Sequence, residues 1–285
     1  MYPIVDSFKS YLSVLGYSST TQSMLPACIR DFLEYGQYSS IGEIQPVDIS
    51  MFYEWLHERP LKRGEGGALS EMMISHYVYA LKVFFSWQLE TGGIASNPVS
   101  VLKFKSPGRG HREPLTVGEI ETLFAAAVTC REHAMLHLFY SCGLRRSEAV
   151  RLQLSDVHLR QRLLYVRSGK GDRRRVIPLT GKVAVSLEQY VLQERGRARY
   201  TGTAFMLNNM GRAMRGDSYA TLLKSLLRKA GMRKCISLHY LRHSIATHLL
   251  QSGMSMEYVR DFLGHKCLES TQIYARPGSH QLQAL

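Results

Sequence analysis

At 285 residues, with 45% hydrophobic and 21% charged side chains, the chain has the length of two domains and the balance of a core-forming globular protein, which excludes a disordered polyelectrolyte and a disulfide-stapled miniature. The net charge of +13 is unevenly spread: residues 1–105 carry eight Lys/Arg and ten Asp/Glu, leaving 28 basic and 13 acidic residues to 106–285. A basic excess concentrated in one half points to a polyanionic partner, nucleic acid above all.

The first hundred residues have helical periodicity. Val5, Phe8, Tyr11, Leu12 and Leu15 fall on one face, and Gly16 is placed to end that helix. A second helix is expected from about Thr20 to Tyr35, a third from Asp48 through His57, and a longer fourth from about Leu69 to Thr91. Short connections between them predict a compact helical domain over 1–105. Residues 106–113, basic and rich in Gly and Pro, read as a linker containing Arg109. A second domain then spans 114–285, opening with Thr116-Val117-Gly118-Glu119, a hydroxyl and a carboxylate spaced to satisfy the free amides of a helix start.

This second domain is expected to be helical with one β interruption, making the whole mainly α with a small hairpin or sheet, an α+β arrangement. Residues 163–167 and 175–179 are short β-favouring runs, and Ser168-Gly169-Lys170-Gly171-Asp172 supplies the turn. Helices are expected again at about 183–197, 218–231, 238–252 and 255–263. The five cysteines (Cys28, Cys130, Cys142, Cys235 and Cys267) have no CxxC or zinc-finger spacing and read as reduced thiols of a cytoplasmic protein. A membrane span of about 18 apolar residues and an export signal are both missing from the sequence, so no membrane partner is expected.

The chemistry is densest over residues 237–250. His239 and Arg242, three apart, share a helix face, while Leu241, Ile245, Leu249 and Leu250 supply the stripe that anchors it. An arginine forks onto phosphate oxygens and a histidine titrates near neutrality, a pairing suited to phosphoryl chemistry, although such a pair alone is more often structural. His243 and His248 read as packing or capping residues. Two further blocks flank this one: Gly143-Leu144-Arg145-Arg146-Ser147-Glu148 upstream, and Leu263-Gly264-His265 followed by Tyr274 downstream.

In this order and spacing, the three blocks resemble the tyrosine recombinase (phage integrase) family, over about 110–276. The resemblance implies that Arg145 and Arg242 bind the scissile phosphate, that Lys170 is the hairpin lysine, that His239 and His265 are the site histidines, and that Tyr274 is the nucleophile. Glu148 matches a supporting acidic position. Tyr274 would attack the phosphate, displace a 5′-hydroxyl and leave a 3′-phosphotyrosyl bond. A phenol with an ordinary pKa near 10 needs help to lose its proton, and His239 is the first candidate. The arginines would offset charge in the transition state, and Lys170 would protonate the leaving oxygen. No metal or other cofactor is implied.

Strand exchange through a four-way junction would serve integration, excision, inversion or resolution, on double-stranded DNA with paired inverted repeats. The implied assembly is a homotetramer, or one mixed with a related recombinase. Eleven residues follow Tyr274, and the chain begins directly with the helical domain. It is therefore similar to the simple Xer-like branch, with a nucleoid-associated cytoplasmic location. Arg173, Arg174, Arg175, Arg212, Arg215, Lys105 and Arg109 are the expected DNA-backbone contacts. A type IB topoisomerase-like relaxase and a non-enzymatic DNA-binding regulator are the competing readings. The complete set of site residues argues against the regulator.

Overall fold

The computed structural model describes residues 3–59, 68–105, 113–167, 174–199, 201–234 and 236–264. The chain divides into two compact units, Met1–His111 and Arg112–Leu285, a division that falls within 106–113.

The first unit is built on α1 (Pro3–Val14), α2 (Ser19–Gly36), α3 (Pro46–Glu58) and α4 (Glu71–Glu90). Gly16 takes φ +73°, the left-handed geometry that lets the chain leave α1, and Ser18 caps α2 by accepting from the Thr21 amide at 3.2 Å. The apolar faces meet around Phe8, Phe32, Phe52, Phe84 and Phe85, all fully buried. A largely buried ion pair lies inside this unit. Arg59, at the end of α3, donates to Asp31 at 3.1 Å and lies over the Trp55 ring, and the Tyr77 hydroxyl donates to the same carboxylate at 2.6 Å. Among the described residues, no helix is long and apolar enough to cross a membrane.

The second unit begins with α5 (Val117–Ala126), capped as its sequence predicts: Thr116 Oγ1 accepts from the Glu119 amide, and the Glu119 carboxylate accepts from Thr116 N. Next come α6 (Cys130–Leu136), widening into a π-helical turn over His137–Ser141, and α7 (Arg146–Arg151). The π turn closes with Cys142 N donating to His137 O at 2.8 Å, and Gly143 follows at φ +58°. A three-stranded antiparallel sheet follows in the order β1 (Val157–His158), β2 (Leu163–Val166) and β3 (Arg175–Pro178). The hairpin strands are as the sequence predicts, and β1 is an addition to them. Their connecting turn, with Lys170 and Arg173, lies outside the described residues.

Four more helices follow among the described residues: α8 (Gly181–Tyr190), α9 (Gly216–Lys229), α10 (Leu238–Gln251) and α11 (Met256–Leu263). A second π turn, Val191–Arg195, extends α8. The principal core joins α5, α6, the inner sheet face, α8, α9 and the start of α10 around Phe139, Leu164, Ile177, Leu187, Tyr219 and Leu241. A smaller cluster, Ala246, Val259 and Leu263, packs α10 on α11. The architecture is mainly α with a small antiparallel sheet, in agreement with the expected fold class.

Candidate active site

Four elements meet at one point: the start of α7, the first strand residue of β3 and the second turn of α10 bring side chains, and the end of α11 brings backbone carbonyls. At their centre is the Glu148 carboxylate, with a side chain only 2% exposed. Its Oε1 accepts from Arg145 Nη1 and Arg175 Nη1, and its Oε2 from the Arg145 amide and Arg175 Nη2, all at 2.8 Å. Four donors saturate the lone pairs of a carboxylate. Arg242 Nη1 stands 3.9 Å from the same Oε2. Burial by itself would raise the Glu148 pKa. The hydrogen bonds and charge of Arg175, the Arg145 amide and the charge of Arg242 overcome it and hold the group at about 2.

Arg242 is the largest fully buried side chain of the described residues. It donates through Nη1 to the carbonyl of Gly143 and through Nη2 to that of Leu263. Arg145 is more open, its side chain 29% exposed, and its Nη2 donates to Gly264 O at 2.8 Å. The two arginines therefore hang from consecutive carbonyls at the C-terminus of α11, the end of a helix that favours cations. Gly264 ends that helix at φ +66°. Three guanidiniums against one carboxylate leave the cluster with a net charge of about +2, an environment made for an anion.

His239 is exposed on the first turn of α10, one turn before Arg242. So Arg145, Glu148 and Arg242 are brought together, and His239 stands on the same helix as Arg242. Lys170, His265 and Tyr274 lie outside the described residues. Farther along α10, Ser244 Oγ accepts from Leu115 N at 2.9 Å, and His248 donates from Nε2 to Leu115 O at 2.8 Å while Nδ1 accepts from Tyr140 at 2.9 Å. His248 is thus a packing residue that ties the start of the unit to α10.

The expected DNA-backbone contacts separate into groups. Arg174, Arg212 and Arg215 are exposed on the second unit, and Lys105 is exposed on the first. Arg174 borders a 560 Å³ cleft between β3 and α11, lined also by Val176, Pro178, Met254, Tyr258 and Phe262. Arg109 and Arg173 lie outside the described residues. Arg175 departs from the expectation. Its side chain is 6% exposed and both its terminal nitrogens are on Glu148, so it is turned into the cluster where an outward-facing backbone contact was expected. The reason is strand alternation: Arg175, Ile177 and Leu179 point inward, and Val176 and Pro178 outward.

Residues 113–280 match the model of the Phage integrase family. The chain is 32% identical over 287 residues to tyrosine recombinase XerD of Listeria innocua, covering 96% of this chain and 94% of that protein. It is also 32% identical over 284 residues to tyrosine recombinase XerC 2 of Ralstonia nicotianae, covering 96% and 81% respectively. Among solved structures, the Tn1549 transposon integrase in complex with a circular intermediate DNA superposes with a TM-score of 0.77 at 19% identity, over 99% of this chain and 97% of that one. The last of these likenesses is one of fold.

Proposed function

The chain belongs to the phage integrase family and is a site-specific tyrosine recombinase, and we propose that it cleaves and rejoins DNA strands through Tyr274 at a phosphate held by Arg145 and Arg242. The observation that carries this reading is the convergence of those two guanidiniums on the Glu148 carboxylate and the end of α11.

The Tyr274 oxygen attacks phosphorus and gives its proton to His239. The bond from phosphorus to the 5′-oxygen breaks, and Lys170 protonates the departing oxygen. The 3′-phosphotyrosyl diester retains the energy of the cleaved bond, so a 5′-hydroxyl from a partner strand reverses the step without a nucleotide cofactor. Guanidiniums fixed before the reaction stabilise the added charge of the five-coordinate phosphorus without reorganising, which is the physical role of a preformed anion site. His265 donates to a nonbridging oxygen. Exposed Arg174, Arg212 and Arg215, with Arg173 next to Arg174 in the chain, offset backbone charge along the duplex. The helical unit, 1–105, grips the same duplex, and Lys105 and Arg109 follow the backbone between the units.

The working assembly is a tetramer on two duplexes with paired inverted repeats, passing through a four-way junction, and its place is the nucleoid. The direct test is covalent capture. A random-sequence pool of nicked duplexes, in which the cleaved fragment diffuses away, is incubated with the full chain and adducts are sequenced. Wild type is expected to trap duplexes sharing a motif, and Tyr274→Phe to bind the same duplexes with no adduct. An adduct formed by Tyr274→Phe would remove Tyr274 from this role. A failure of wild type to trap any duplex would remove the cleavage reading itself.

A further inference from the structure

We propose that Arg175 is a positioning residue for strand cleavage: it takes up the charge of Glu148, so that Arg145 and Arg242 keep theirs for the scissile phosphate. This rests on the recombinase reading of the site. Glu148 is needed to fix Arg145, whose amide and Nη1 both donate to it. A carboxylate so near also works against the site, because it lies 3.9 Å from Arg242 as well and offsets one of the two charges meant for phosphate. Arg175 removes that conflict. Its two terminal nitrogens meet the two carboxylate oxygens in a fork, the arrangement for which a guanidinium is better shaped than an ammonium. With Arg175 in place the cluster holds three positive groups and one negative. Without it, Glu148 is left to the other two arginines.

The same side chain joins three elements. Arg175 opens β3, on the strand that leaves the turn bearing Lys170, and its Cδ stands 3.1 Å from where a Cβ on Gly264 would be. It therefore ties the base of the hairpin to α7 and to the end of α11 at once. A grip on DNA backbone is the competing role, and Arg175 instead has both terminal nitrogens on the Glu148 carboxylate.

Cleavage is measured with the full chain on a nicked duplex taken from the wild-type capture, alongside noncovalent affinity at several salt concentrations. Arg175→Met is expected to slow adduct formation by about 100-fold, the scale of losing one preorganised donor, with the salt slope of binding unchanged. Adding Glu148→Gln to Arg175→Met removes the unmatched charge and is expected to recover roughly tenfold of that loss. Arg175→Lys keeps the charge without the fork, so its cleavage falls less and gains nothing from Glu148→Gln. A backbone contact would instead lower the salt slope by about 1 and give losses that add in the double variant. Either result overturns the inference, as does wild-type cleavage by Arg175→Met. Should Arg175→Met not fold, the lysine pair decides: rescue of Arg175→Lys by Glu148→Gln contradicts the charge argument. Because wild type must first trap this duplex, loss of the recombinase reading is recognised separately.

Discussion

Arg242, with no solvent exposure, donates to the carbonyl of Leu263, the last residue of α11. A group proposed to meet phosphate is therefore also a structural tie between α10, the Gly143 turn and α11. Arg242→Met leaves two buried carbonyls without their donor, and a cost of about 3 kcal/mol in denaturant unfolding is expected. Arg242→Lys keeps one charge but cannot reach both carbonyls in a plane. It should unfold more easily than wild type, though less so than Arg242→Met, and give no measurable adduct.

Glu148 makes stability depend on acid. Its folded pKa of about 2 lies below the ordinary 4.5, so the unfolded chain binds the proton more readily. The resulting stabilisation is fully present above about pH 5 and is lost as pH falls towards 2. From the size of the shift it amounts to roughly 3 kcal/mol. Unfolding free energies of wild type and Glu148→Gln, measured from pH 6 to pH 2.5, should converge as pH drops. A constant gap across that range would show that the ion pair does not control it. His137, which burial together with the charges of His133 and Lys182 holds down at about 4, acts in the partly overlapping window from 6.5 downwards in both proteins.

How much of this site was legible in the sequence follows from what each contact needs. The Arg145–Glu148 spacing is one helical turn, and His239 and Arg242 are one turn apart on an amphipathic helix, so side-chain periodicity brings them into view. The inward direction of Arg175 was also available, since Ile177 and Leu179 are plainly core residues and alternation carries Arg175 with them. The run of three arginines hid it behind a reading based on charge. Similarly, Thr129-Cys130-Arg131-Glu132 repeats the capping pattern of Thr116–Glu119 and starts α6, a helix the periodicity alone does not announce. The carbonyls of Gly143, Leu263 and Gly264 have no sequence signature, because every residue has one. A two-residue strand such as β1 is too short for any pattern.

Gly143 and Gly231 separate backbone strain from crowding. They have similar left-handed φ values, +58° and +65°. A Cβ on Gly231 meets nothing within 4 Å, whereas on Gly143 it comes 3.0 Å from Leu263 Cδ2 and 3.2 Å from Phe262 Cε1. Gly231→Ala should cost about 1 kcal/mol, the strain of an L-residue in that region, and leave cleavage intact. Gly143→Ala should cost more and also slow cleavage, because Leu263 and Gly143 both supply the carbonyls that hold Arg242. Equal unfolding free energies for the two alanine variants would show that the end of α11 yields freely.

Leu115 is fixed to α10 from both sides of its peptide backbone, its amide by Ser244 and its carbonyl by His248. This is where the chain enters the second unit, on the helix that bears His239 and Arg242. Ser244 is fully buried, and Ser244→Ala strands the Leu115 amide without an acceptor, at an expected cost of about 1–3 kcal/mol. Ser252→Ala is the control, since that exposed hydroxyl only donates back to Leu249 O in its own helix. Hydrogen exchange at Leu115 should accelerate in Ser244→Ala and stay slow in Ser252→Ala. A loose Leu115 also frees the first two turns of α10, so cleavage should fall in the first variant and not in the second. Fast exchange at Leu115 with undiminished cleavage would mean that the entry of the chain and the catalytic helix are held independently.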